Sequence, residues 1–253
     1  TGVQTCALPI SKADRPVDAT WPCRKIRKSD RKAKIPSFES CPMTTVLIVG
    51  ASKGIGLETT RQALEAGYHV RAMSRSAASI SVTDPSLEKL DGDALLHDDV
   101  EAALSGVDAV VLSLGVRAGD LLRPVTLFSA ATRLLVSAMK RQGVRRLICV
   151  TGFGAGESES RISCLQRLPF KLVFGRAYAD KSLQEDAIEN SGLEWTIARP
   201  GVLIGGPRTG RYKVLANPVQ WRNGIISRAD VADFLVRQIR DRNYIGQAPV
   251  LVY

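Results

Sequence analysis

Seven residues constrain this chain more than any others. Gly50-Ala51-Ser52-Lys53-Gly54-Ile55-Gly56 closes the apolar run TTVLIVG (44–50) and opens a stretch with helical spacing over 54–66. A glycine-rich turn between a buried strand and a helix is the signature of a phosphate-binding βα unit. Gly50 permits the tight turn, Gly54 a close approach of backbone to a pyrophosphate, and Gly56 close helix–strand packing. The amide N–H groups of Gly54, Ile55 and Gly56 and the positive end of the helix would face the phosphates, with Ser52 and Lys53 as further donors.

The rest of the pattern fits one architecture. Strand signals at 68–74 (YHVRAMS), near 89–94, at 108–115 (DAVVLSLG), 145–152 (RRLICVTG), 193–201 (LEWTIARPG) and 248–253 (APVLVY) alternate with helical stretches. The helices are expected at 98–105, at 123–142 with Phe128, Ala131, Leu135 and Met139 on one face, at about 178–190, and from Ser227 to about 241. Gly143 ends one helix, and Ser227 with Asp230 forms a Ser-x-x-Asp start for another. Such alternation predicts an α/β fold: a single Rossmann-type domain around a doubly wound parallel sheet. Residues 75–90 read as irregular, and 201–226, rich in Gly, Pro and Arg, as a lid-like substrate loop.

The expected boundaries are an unstructured leader over 1–42 and an NAD(P)-binding domain over 43–253. The leader has no sustained period of 2 or 3.6 and contains Pro9, Pro16, Pro22, Pro36 and Pro42. Its first ten residues, TGVQTCALPI, look like a translated sequencing adapter. The reading is therefore that the native chain begins at Met43, the alternatives being a disordered native tail, a basic nucleic-acid-binding arm or a transit peptide. The leader carries nine Lys/Arg against four acids, half of the net charge of +10. The remaining surplus suits an enzyme that binds an anionic cofactor and gives no ground for a nucleic-acid partner. No apolar run approaches the roughly 18 residues of a membrane span. Cys149 and Cys164 follow the leader in no disulfide or zinc spacing, so a cytoplasmic protein without a metal is expected. His69 and His97 likewise have no metal-ligand neighbourhood.

The end of the second strand selects the dinucleotide. An acid there would accept a ribose 2′-OH, but the stretch is Ser74-Arg75-Ser76 and no acid follows until Asp84. Arg75 is placed to pair with a 2′-phosphate, which predicts NADP(H) as cofactor.

GASKGIG resembles the glycine motif of short-chain dehydrogenase/reductase proteins. GDALLHDDVEAALSGVDAVVLSLGVR (92–117), AMKRQGVRRLICVTGFGAG (138–156) and KSLQEDAIENSGLEWTIARPG (181–201) extend the likeness across 44–253. They resemble the atypical, NAD(P)H-binding NmrA-like group, near the flavin reductase/biliverdin-IXβ reductase proteins. The resemblance implies that Asp93 and Ala94 border the adenine, and that Leu114, Gly115 and Arg117 line the other edge of the cofactor. It implies too that Pro200, Gly201 and Val202 approach the nicotinamide. The residues alone also allow Asp93 as a turn cap, Leu114 and Val202 as core, and Arg117 as a loop charge.

The larger superfamily pairs a hydroxyl with Tyr-x-x-x-Lys, whose tyrosine moves the proton that accompanies hydride. Here the spacing is Tyr178-Ala-Asp-Lys181, one residue short, and Thr151 stands where the serine would. Thr151, Tyr178 and Lys181 are the candidate catalytic residues, and Lys181 also a candidate cofactor ligand. Lys181 could instead pair with Glu185 at i+4. The expected activity is NADPH-dependent hydride transfer to a conjugated small molecule, a flavin, quinone or tetrapyrrole, by a monomer or homodimer. The alternatives are a non-catalytic NADP-binding regulator and a sugar-nucleotide epimerase or dehydratase.

Overall fold

The computed structural model describes residues 44–115, 126–161 and 164–253. The expected leader and Arg117 lie outside them.

β1 (Thr45–Val49) is apolar and β-branched along most of its length and is buried from Val46 onward. Such a run suits a parallel strand covered on both faces. α1 (Gly54–Glu65) follows and leads to β2 (His69–Ser74). Next come β3 (Leu87–Asp91), α2 (His97–Leu104), β4 (Ala109–Leu112), α3 (Leu127–Gln142) and β5 (Arg146–Val150). α4 (Cys164–Glu189), β6 (Glu194–Pro200), β7 (Val202–Ile204) and β8 (Lys213–Leu215) lead to β9 (Ile225–Ser227), α5 (Arg228–Gln238) and β10 (Val250–Val252). Among the described residues the main sheet runs β3-β2-β1-β4-β5-β6-β10-β8, parallel except for β8 against β10. β7 and β9 form a separate parallel pair.

Alternation along the central strands divides the core. Val46 and Ile48 of β1 pack with α1 and α5, through Ile55, Ala63, Val231 and Phe234. Leu47 and Val49 pack on the other face with Val100, Leu135, Met139 and Ile188. Cys149 on β5 is fully buried, and burial pushes its thiol pKa well up, so it is an inert core side chain.

Helix boundaries follow expected chemistry. Gly143, at φ +74°, ends α3 in the left-handed region. The Ser227 hydroxyl accepts from the Asp230 N–H at 3.0 Å at the start of α5. Two regions differ from the sequence reading. α4 begins at Cys164, well before the expected 178; Pro169 and Gly175, both poor helix formers, mask its first half in the sequence. Residues 201–226 hold two short strands and the start of a third, and are fastened to α5. Asp230 accepts from the Thr209 N–H and hydroxyl, both at 2.7 Å, from the Gly210 N–H at 2.8 Å and from the Tyr253 hydroxyl at 2.7 Å. These bonds tie the middle of the segment, at Thr209 and Gly210, to the start of α5.

Candidate functional site

The sheet reverses its direction of winding between the adjacent strands β1 and β4. A crevice opens at such a switch point outside the carboxyl ends of the strands. The glycine loop follows β1, Arg75 follows β2, Asp93 and Ala94 follow β3, and Leu114 and Gly115 follow β4. Thr151 follows β5, while Pro200 ends β6 with Gly201 and Val202 beyond it. The parallel topology therefore brings all the described candidates outside α4 to one end of the sheet.

The three loop glycines serve different needs. A Cβ on Gly50 would stand 2.3 Å from the Ser113 carbonyl oxygen, and one on Gly56 2.2 Å from the Gly50 carbonyl oxygen. Both positions are closed by the protein's own backbone. Above Gly54, at φ +59°, the space is open except for the Arg228 side chain, whose Cδ would lie 3.9 Å from a Cβ. Lys53 and Gly54 are exposed and Ser52 partly buried. No side chain caps α1 and its first turn holds no acid. Its leading amides and dipole are thus left to a ligand, and the cradle fits the diphosphate of a dinucleotide. Gly50 and Ala51 donate their N–H groups to the Met73 carbonyl at 3.0 and 3.2 Å, which fixes the loop to β2.

On the adenine side, Arg75 is exposed at the end of β2. The Ser74 hydroxyl donates to the Ser76 carbonyl at 2.7 Å and shapes the turn that carries Arg75 outward. Asp93 is engaged locally: its carboxylate accepts from the Leu95 N–H at 3.0 Å, and its own N–H donates to Asp99 at 2.8 Å. It acts as a turn cap. Ala94 is buried, Leu114 partly buried and Gly115 exposed.

The far side is crowded. The Thr151 hydroxyl, buried, donates to Glu185 Oε1 at 2.5 Å. Lys181 turns its ammonium to the Thr151 carbonyl, 5.1 Å from the centre of the Phe128 ring and 5.6 Å from that of Tyr178. Burial pushes its pKa down to about 8. The Tyr178 hydroxyl lies against Gly152, where a Cβ would meet it at 2.7 Å. Burial, and then the Glu185 charge, raise the Tyr178 pKa. That is opposite to the shift that turns a tyrosine into a base.

Behind these residues sits an ion pair that the sequence reading did not find. Arg199 Nη2 and Nε reach Glu185 Oε2 and Oε1 at 2.8 and 3.1 Å, with both side chains 1% exposed. Arg199 also stacks over Trp221 at 4.9 Å. Glu185 is thus the direct partner of Arg199 and Thr151, and Lys181 feels only its charge. The same side chain limits the loop after β5, since a Cβ on Gly156 would stand 2.1 Å from Glu185 Oε2. Asp180, between Tyr178 and Lys181, accepts from the N–H groups of Phe128 and Ser129 at 2.8 and 3.3 Å, capping α3 from a neighbouring helix. The only sequence signals for this network were the i+4 spacing of Lys181 and Glu185 and the Arg199-Pro200 step.

Known proteins match this architecture. An uncharacterized chloroplastic protein of Arabidopsis thaliana is 29% identical over 200 residues, covering 77% of this chain and 71% of its own length. An uncharacterized sugar epimerase of Bacillus subtilis is 29% identical over 213 residues, covering 80% of this chain and 91% of its own length. Among solved structures, ChuY, an anaerobilin reductase of Escherichia coli O157:H7, superposes with a TM-score of 0.70 at 27% identity. That match covers 83% of this chain and 97% of the reductase. The sequence profile of the NAD(P)H-binding family matches residues 50–242. A glycine cradle at the switch point of a doubly wound sheet and a profile that spans most of the chain lead to one assignment: this chain belongs to the NAD(P)H-binding family, with oxidoreductases among its structural neighbours.

Proposed function

We propose that the chain is an NADPH-dependent oxidoreductase that reduces a conjugated small molecule of the flavin, quinone or tetrapyrrole type. The observation that carries this reading is the inward commitment of the polar groups beside the candidate nicotinamide position. The Thr151 hydroxyl serves Glu185, the Lys181 ammonium serves the Thr151 carbonyl, and the Tyr178 pKa is raised. A simple carbonyl needs a positioned acid as hydride arrives, a contribution of about 10²–10⁴-fold. A conjugated acceptor spreads the incoming charge over many atoms and needs that acid less.

When bound, the dinucleotide would supply a hydride, and one proton from solvent would complete the two-electron reduction of the acceptor. The chain's own residues position the partners. The glycine loop and the uncapped end of α1 hold the diphosphate, and Arg75 takes the 2′-phosphate. Pro200, Gly201 and Val202 border the nicotinamide, Leu114 and Gly115 the opposite edge, and Lys181 the ribose beside it.

Beyond Gly201 the β7–β9 pair offers an apolar surface to the acceptor. Val202 pairs with Ile225 across the two strands and Ile204 lies two residues along β7. All three share one face and are 56%, 51% and 37% exposed. A flat aromatic molecule matches such a surface better than a sugar does. The reductase activity of the E. coli relative supports the same class of acceptor.

The test is steady-state NADPH oxidation by the parent and by Tyr178→Phe, with flavin, quinone, bilin and simple aldehyde acceptors. Turnover should require a conjugated acceptor, and Tyr178→Phe should retain most of it. A hundredfold loss in Tyr178→Phe with NADPH still bound would make the tyrosine the acid and overturn the mechanism. Tight NADPH binding without turnover on any acceptor would favour the regulator instead.

A further inference from the structure

Two arginines lie over α1, and they differ in what they touch. Arg208 reaches Glu65 Oε2 at 3.3 Å and Gln62 Oε1 at 3.4 Å. The side chain of Arg228, the first residue of α5, makes no hydrogen bond or ion pair with any described residue, although the residue is partly buried. Among the described residues, and apart from the neighbouring residues and backbone of α1 itself, its Cδ is the one heavy atom within 4 Å of where a Cβ on Gly54 would sit. The aliphatic stem therefore runs beside the one loop glycine whose outer side is open, and the guanidinium lies within reach of the space above it.

The backbone that aims this side chain is well fixed. Ser227 caps α5 through the Asp230 N–H. The Gln62 side chain donates to the Ala229 carbonyl at 2.8 Å, which ties the start of α5 to α1. The nearest acid in sequence, Asp230, is already occupied by Thr209, Gly210 and Tyr253. A partly buried cation without a carboxylate suits a site that receives an anion from solution.

We infer that Arg228 is a diphosphate ligand of the dinucleotide. It adds a side-chain cation from α5 to the amides of the glycine loop. The assignment rests on the NAD(P)H-binding family, not on the identity of the acceptor. It gives Arg228 and Arg75 separate duties, Arg228 at the diphosphate and Arg75 at the 2′-phosphate.

Two small probes separate those duties: ADP carries a diphosphate and no 2′-phosphate, and 2′-AMP the reverse. Both are titrated calorimetrically into the full chain and into Arg228→Ala, Arg228→Lys and Arg75→Ala. Arg228→Ala should weaken ADP and NADP⁺ tenfold or more, leave 2′-AMP within twofold, and flatten the salt dependence of NADP⁺ binding. Arg228→Lys should recover part of the loss, and Arg75→Ala should weaken 2′-AMP and leave ADP unchanged. ADP affinity within twofold of the parent in Arg228→Ala overturns the assignment. Equal losses of ADP and 2′-AMP in a variant with an unchanged melting temperature overturn it as well, because Arg228 would then act on the whole pocket. Failure of 2′-AMP to bind even the parent would refute the 2′-phosphate role of Arg75 and leave the ADP result to decide Arg228.

Discussion

The two sides of the crevice are built on opposite plans. At the glycine loop, Gly54 is open to solvent, α1 has no side-chain cap, and the Arg75 and Arg228 side chains carry charge that pairs with no carboxylate among the described residues. At the Thr151–Tyr178–Lys181 corner the hydroxyl, the ammonium and the carboxylate behind them already serve one another. The first side has donors to offer a ligand. The second has its polar groups engaged and therefore gives shape more readily than proton transfer. Under the proposed function, the first side would hold the reductant through polar contacts, and apolar surface would select the acceptor.

The largest break in that comparison should come at Gly56. Gly56→Ala places a methyl 2.2 Å from the Gly50 carbonyl, backbone against backbone, so cofactor binding and much of the stability should go together. Gly54→Val should instead keep the fold, though with strain at its positive φ, and abolish NADPH binding by filling the open space. Thermal melts with and without NADPH separate the two. A Gly54→Val protein that binds NADPH like the parent would show that the diphosphate lies elsewhere.

Next in size is the buried pair. Arg199→Ala strands the Glu185 carboxylate in the core, at a cost of about 3–5 kcal/mol. Replacing both, as Arg199→Met with Glu185→Leu, should cost less than Arg199→Ala alone, which urea denaturation can measure. Equal stability of Arg199→Ala and the parent would mean that Glu185 takes up a proton or finds water.

Arg75→Ala should weaken NADPH by about 1.5–3 kcal/mol, the range for a hydrogen bond to a charged group, and hardly affect NADH. Equal affinities of the unaltered protein for the two cofactors would remove the basis for preferring NADPH.

The smallest effect concerns Lys181. Its folded-state pKa of about 8 lies below the ordinary 10.5. Between those values the unfolded chain holds more protons, so this residue makes stability climb with pH across that window and adds no slope outside it. The difference in urea midpoint between the parent and Lys181→Met should change from pH 7.5 to pH 10.5 in that direction. A constant difference would show that Lys181 stays charged.

How legible each part was follows from distance along the chain. The glycine loop, the end of β2 and the caps at Gly143 and Ser227 are local features, and the sequence displays them in consecutive residues. β7, β8 and β9 have three residues each, too few for a period to emerge. The early part of α4 was hidden by Pro169 and Gly175. Glu185 and Arg199 stand 14 residues apart on a helix and a strand, and only the packing of α4 on β6 brings them together. Arg228 is 174 positions from Gly54 and belongs to no motif, so its place over the loop could be found only in three dimensions.

The tie between the glycine loop and Met73 bears on how fast the pocket can fill. Gly50 and Ala51 are hydrogen-bonded to β2, and Gly56 is wedged against Gly50, so the protein's own backbone defines the loop. The conformational entropy of this loop is lost when the chain folds, so little ordering remains for the encounter itself. Such a pocket should capture its nucleotide in one step, at a rate set by diffusion and by the field of the nearby arginines. Dissociation, and with it the exchange of spent for fresh cofactor, then becomes the stage at which the surrounding contacts govern the tempo of turnover.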